Sequence, residues 1–173
     1  MSAGLGKLAM LDAFMAADKR IVGADQPIAY QPGYSRHEQV AKYPLEVAGE
    51  QHGAIFTVTG NPSKPQPFFR LQILFPACLC RLDFTDEFHA NALREPLDGI
   101  EYSMHGPHYH SWPINRRFYK TIDRPVELHN AIPLPECGRS FDAVLRWFCA
   151  DNKIESLPAN HRIELPVRRT LFE

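Results

Sequence analysis

Apolar residues fall at helical spacing near the start of the chain. Leu5, Leu8, Met10, Leu11, Phe14 and Met15 predict a short amphipathic helix over Leu5 to Lys19. The pattern then breaks. "GADQPIAYQPGYSRHEQ", Gly23 to Gln39, is rich in Gly, Pro and polar residues and predicts a loop or extended arm. Alternation follows. Leu45 and Val47, the turn residues "AGEQHG" and the β-branched run "AIFTVT" predict a hairpin. "NPSKPQP", Asn61 to Pro67, reads as a loop.

The next two runs alternate most clearly. "FFRLQILF" places Phe69, Leu71, Ile73 and Phe75 on one face of a strand. "ACLCRLDF" places Cys78, Cys80, Leu82 and Phe84 on one face, with Arg81 and Asp83 opposite. Pro76 between them predicts a bulge or an edge position. "IEYSM" (Ile100 to Met104) and "PHYHSW" (Pro107 to Trp112) predict further strands, and Ile163 to Val167 a short terminal one. The strongest helical pattern is "SFDAVLRWFCADNK". Ser140 is a good N-cap, and Asp142 lies in the first turn, where negative charge suits the helix dipole. Phe141, Val144, Leu145 and Phe148 form a stripe at i, i+3, i+4 and i+7. Helix, several strands, helix, short strand implies an α+β fold, a mainly antiparallel sheet with helices packed on one face. The 173 residues favour one domain over 1–173: helix and arm 1–40, β-rich core 41–135, terminal helix and strand 136–173.

Composition narrows the classes. With 45% hydrophobic residues and a net charge of −1, the chain can build a core and is not globally basic, so nucleic acid would have to meet a local basic patch. Fifteen prolines argue against a long helical bundle. The first twenty residues lack an apolar run of membrane length and carry Asp12 and Asp18, so neither a signal peptide nor an anchor is expected and the cytoplasm is the expected location. In that compartment Cys78, Cys80, Cys137 and Cys149 are expected as free thiols.

Chemistry concentrates in "HGPHYHSWPINRRFYK", His105 to Lys120. In a strand His108 and His110 share a face, about 6.5–7 Å apart, with Trp112 following. An H-x-H pair serves two chemistries. It can ligate a metal with a third ligand, for which His105, His129, His89 and Glu101 are candidates, or with Cys78 and Cys80 from a neighbouring strand. It can also transfer protons without a metal, as base and acid in cleavage of RNA through its own 2′-hydroxyl. Cations and stacking rings nearby favour the second: His108, His110 and His105 as catalytic residues, with Tyr109, Trp112, Arg116, Arg117, Tyr119 and Lys120 holding phosphate and base. That reading expects a His-dependent ribonuclease or related phosphodiesterase with no cofactor and no metal.

The H-x-H pair, the "SWPIN" turn and the Phe-led helix "FDAVLRWFCADNKIESLP" resemble a group of small uncharacterised bacterial and phage proteins over residues 70–158. The resemblance implies a phage or mobile-element context. The alternative it brings is a non-enzymatic factor that binds and inhibits or regulates a bacterial protein complex.

Overall fold

The computed structural model describes residues 3–64, 68–92, 100–119 and 127–166. The chain runs α1 (Ala3–Ala16), β1 (Lys19–Ile21), β2 (Gln31–Pro32), β3 (Gln39–Val47), β4 (Glu50–Gly60), β5 (Phe69–Phe75), β6 (Ala77–Phe84), β7 (Phe88–Ala90), β8 (Ser103–His105), β9 (His108–His110), α2 (Trp112–Arg116), β10 (Ile132–Pro133) and α3 (Phe141–Asp151). The main sheet is ordered β1-β3-β4-β5-β6-β9-β10, with β2 beside β3, and β7-β8 form a separate two-stranded ribbon. Every pairing between these described strands is antiparallel, and one isolated parallel bridge joins Lys19 of β1 to Ile154. The fold is α+β, as the order of patterns predicts. No described helix is long and apolar enough to cross a membrane.

Strand alternation gives the main sheet an apolar face and a polar one. Tyr43, Phe56, Leu71, Ile73, Leu82 and Tyr109 are buried on the apolar face. The α3 stripe covers it: Val144, Leu145 and Phe148 are fully buried, and the Phe148 ring lies 5.9 Å from that of Phe56 and 6.0 Å from that of Tyr109. Ser140 caps α3 by accepting from the Ala143 N–H, as expected of that residue type. Helix α1 adds Leu8, Leu11 and Phe14, with Phe14 against Phe75.

Lys19 joins the two helices. It is 1% exposed, and its Nζ donates to the carbonyls of Met15 and Ala17 at the end of α1 and of Asn152 at the end of α3. These are carbonyls a helix terminus leaves without an internal partner. Burial pushes the Lys19 ammonium down to about 8. Lys19→Met is expected to destabilise the fold by about 1–3 kcal/mol, the cost of leaving buried carbonyls without a donor. Urea unfolding at pH 7 checks it; an unchanged midpoint would contradict the capping role.

Local details differ from the sequence expectations. The β3–β4 turn is only Ala48–Gly49, both at positive φ (52° and 82°), a conformation that matches the twist of a tight hairpin. The residues "EQHG" therefore belong to β4. Pro76 sits at the tip of the β5–β6 hairpin, and the register shift comes after it: Ile73 pairs with Cys80 but Leu74 with Cys78, leaving Leu79 as the extra residue. Cys78 thus leaves the stripe of Cys80, Leu82 and Phe84 and turns to the polar face, where its Sγ accepts from Gln72 Nε2. Strand β9 stops at His110. Ser111 caps α2, so Trp112 opens a helix rather than continuing the strand face of the histidines. Residues 163–166 are not a strand, and Val167 lies outside the described residues.

Candidate metal centre

The polar face of the sheet carries two ladders across adjacent strands. Thr59, Arg70, Asp83 and His108 pair in one row on β4, β5, β6 and β9. Thr57, Gln72, Arg81 and His110 pair in the next. Partners in a ladder stand side by side on one face. The H-x-H pair is therefore flanked by an R-x-D pair on β6, and that by an R-x-Q pair on β5. The intervening Tyr109 points through the sheet to α3, where its hydroxyl donates to Asp151.

The histidines are not on an exposed strand face. His110 is 0% and His108 5% exposed. The β7–β8 ribbon brings His89 onto them. Its ring stacks on His108 (centroids 4.7 Å, 22° between planes) and meets His110 edge-on (4.8 Å, 87°). One ring nitrogen from each of His89, His108 and His110 can be chosen so that all lie within 4.8 Å of one another.

Hydrogen bonds fix the proton positions on two of the rings. His108 Nδ1 is 2.9 Å from the Gly106 carbonyl, which only accepts. Nδ1 therefore carries the proton and Nε2 offers its lone pair. Gly106, at φ 87°, makes the β8–β9 turn that aims this carbonyl. His89 Nε2 is 3.1 Å from Asn91 Oδ1. The Asn91 amide is oriented unambiguously: its Nδ2 donates to the Glu101 and Ala131 carbonyls and its Oδ1 accepts from the Ala131 N–H. His89 therefore carries a proton on Nε2, and the His129 backbone also contacts its ring. Such outer-nitrogen bonds are how metal-binding histidines are held.

His110 is different. Its Nε2 lies 2.8 Å from Arg81 Nη2, a group that only donates, and its Nδ1 is buried with no partner among the described residues. Burial, with Arg81 adding to it, pushes the His110 imidazolium down to about 3, and burial followed by the neighbouring His108 lowers His89. Asp83 anchors the cations. Its Oδ1 accepts from Arg70 Nε and its Oδ2 from Arg81 Nε, both at 2.6 Å, and Oδ2 lies 3.6 Å from Nε2 of both His108 and His110. Burial alone would raise the Asp83 carboxyl; the Arg81 and Arg70 guanidiniums outweigh it and hold it below its usual range.

A pH dependence follows for the metal-free protein. His110 titrates near 6.5 when unfolded and about 3 when folded, so the unfolded chain binds more protons between those values. Stability is fully present above about pH 6.5 and falls as the pH drops toward 3, by several kcal/mol if the whole shift is expressed (about 1.4 kcal/mol per pKa unit). Urea unfolding at pH 7, 5 and 4 should show the decline, and His110→Gln should flatten it. A wild type equally stable at pH 7 and 4 would contradict a buried neutral His110.

Other residues singled out by sequence lie elsewhere. His105 pairs with Phe88 on the outer face of the ribbon, their rings 5.1 Å apart, while His89 pairs with Met104 on the inner face. Trp112 Nε1 and Arg116 Nε both donate to Asp12 of α1, and Arg116 also binds the Tyr119 carbonyl. Tyr119 is held by the Glu127 backbone. Arg117 is exposed, and Lys120 lies outside the described residues. His129 pairs with Glu127 at the surface. The Glu101 side chain is exposed; its carbonyl serves Asn91. Cys80 faces the core, away from the histidines, so the two cysteines cannot close a joint site with them. All four cysteines are free. The cations beside the histidines come instead from Arg70 and Arg81. Comparison with protein-family models, curated proteins and solved structures finds no match.

Proposed function

We propose that this is a His-ligated metal protein in which His89, His108 and His110 hold one first-row divalent cation. The observation that carries this reading is the convergence of one ring nitrogen from each of three histidines within 4.8 Å, on rings of which two have a nitrogen hydrogen-bonded to the protein. Imidazole suits zinc and its neighbours in the first transition row. A tetrahedral site with bonds of about 2.0–2.1 Å needs nitrogens about 3.3–3.5 Å apart, so the rings must draw in from their 4.8 Å limit when a cation binds. Three protein ligands leave a fourth position for water or substrate, the arrangement of catalytic rather than structural zinc. The chemistry such a site offers is metal-assisted hydrolysis, with the cation lowering the pKa of a bound water. The lowered imidazolium pKa values of His110 and His89 keep these ligands ready at neutral pH without proton release.

Elemental analysis after chelator treatment and dialysis against zinc tests it. About one zinc per chain is expected for the wild type, and none retained by His108→Ala or His110→Ala. Failure to retain zinc, or equal retention by both variants, would remove the reading.

The Arg81–His110 contact favours a second reading, the metal-free phosphodiesterase, with His108 and His110 as proton carriers and Arg81 rather than Arg116 on the phosphate. It requires RNA cleavage that survives chelator and has a bell-shaped pH profile.

A further inference from the structure

We propose that Arg70 and Arg81 form an oxyanion-binding half of this centre, so that the molecule it acts on carries a carboxylate or phosphate group, and that metal binding switches this half on. The inference rests on the metal reading above. Both arginines use Nε to reach Asp83, which leaves their terminal amino groups for other partners. Those of Arg70 have no hydrogen-bond partner among the described residues. Arg81 spends Nη2 on His110. Both side chains are 30% exposed, against 8% for Asp83, so the carboxylate is the buried anchor and the guanidiniums reach outward. The two guanidiniums share the one buried carboxylate of Asp83, with Glu38 also acting on Arg70, and guanidinium forks match the geometry of carboxylate and phosphate oxygens.

The coupling to metal comes from His110. Its Nε2 accepts a hydrogen bond from Arg81, so in the metal-free protein the ring proton is on Nδ1. If a cation binds at Nε2, it takes the lone pair that Arg81 uses. If it binds at the unpartnered Nδ1, the proton moves to Nε2, and Nε2 then faces Arg81 as a second donor. Either way Arg81 loses its acceptor when metal arrives. A freed N–H beside a divalent cation calls for an anionic oxygen that can meet both, with Arg70 next in the array. Linkage is reciprocal, so such an anion must tighten metal binding by the factor by which metal tightens anion binding.

The test is a cobalt(II) titration of the chelator-treated full chain, followed by the visible absorbance of the bound ion, in buffer alone, with millimolar acetate and with millimolar inorganic phosphate. At least one anion is expected to lower the cobalt Kd by about 5-fold or more, the lower end of ordinary coupling. A response to acetate alone assigns a carboxylate ligand, and one to phosphate alone a phosphate ligand. Complexation of free cobalt by the anion works against the expected tightening, so it cannot imitate it. Arg81→Met should bind cobalt more tightly than wild type without anion, since a competing donor and a positive charge are gone, and should lose the anion effect. Arg70→Met should weaken that effect. Cobalt binding that neither anion tightens in the wild type, or an anion effect retained in Arg81→Met, overturns this inference alone. Absence of cobalt binding overturns it together with the metal reading.

Discussion

Phe148→Ala is expected to lower the unfolding free energy by about 3–5 kcal/mol, the cost of emptying a large buried aromatic site. Phe148 is fully buried, and its ring meets Phe56 on β4 and Tyr109 on β9. No polar partner or solvent path softens the loss. For a chain of this size each kcal/mol is worth about 2–4 °C, so a fall in Tm of roughly 10 °C is expected. The consequence reaches the polar face. Tyr109 is the residue between His108 and His110, and its packing on Phe148 and Trp147 holds β9 against the core. Loosening it should weaken metal retention even though Phe148 touches no histidine. A shift below about 1 kcal/mol in urea would contradict this packing.

Asp83→Asn is expected to combine a stability loss with a binding loss. Asp83 is buried and accepts from two guanidiniums. An isosteric amide removes the charge and leaves Arg70 and Arg81 facing each other. Breaking a buried ion pair costs about 3–5 kcal/mol. Partial exposure of both arginines lets solvent screen part of that, so about 2–4 kcal/mol is expected. The extra positive charge beside His108 and His110 should also weaken zinc binding by about 10–100-fold, as loss of an outer-shell partner does in other sites. Urea unfolding and a competitive zinc titration on the same variant measure both. A variant as stable as wild type that binds zinc equally well would remove Asp83 from the centre.

The core was legible because its signal is periodic. Phe69, Leu71 and Ile73 alternate, Val144, Leu145 and Phe148 recur at helical spacing, and each face had one place to go. The leucine bulge that turns Cys78 over left no trace, because "ACLCRLDF" alternates equally well in either register. Half of the site was legible for the same reason: His108 and His110 are two apart on a strand and do share a face. What surrounds them was not. Arg116 is close in sequence, but Ser111 starts a helix that carries it to Asp12. The cations that reach the histidines come from strands whose polar positions read as ordinary solvent-facing alternates. The available signal was the matching i, i+2 spacing of Arg70 and Gln72, Arg81 and Asp83, and His108 and His110, which strand pairing turns into two ladders. His89 stands alone in "FHAN", and nothing in its neighbours announces that the ribbon folds over the sheet.

The central claim is that His89, His108 and His110 act as one ligand set. Long-range ¹H–¹⁵N spectra of the imidazole rings, recorded with and without one equivalent of zinc, address it directly. The predicted result is that the ring nitrogens of these three histidines shift together and saturate at one zinc per chain, while His37, His52, His105, His129 and His161 keep their positions. Shifts confined to those other five histidines, or none at one equivalent, would contradict it.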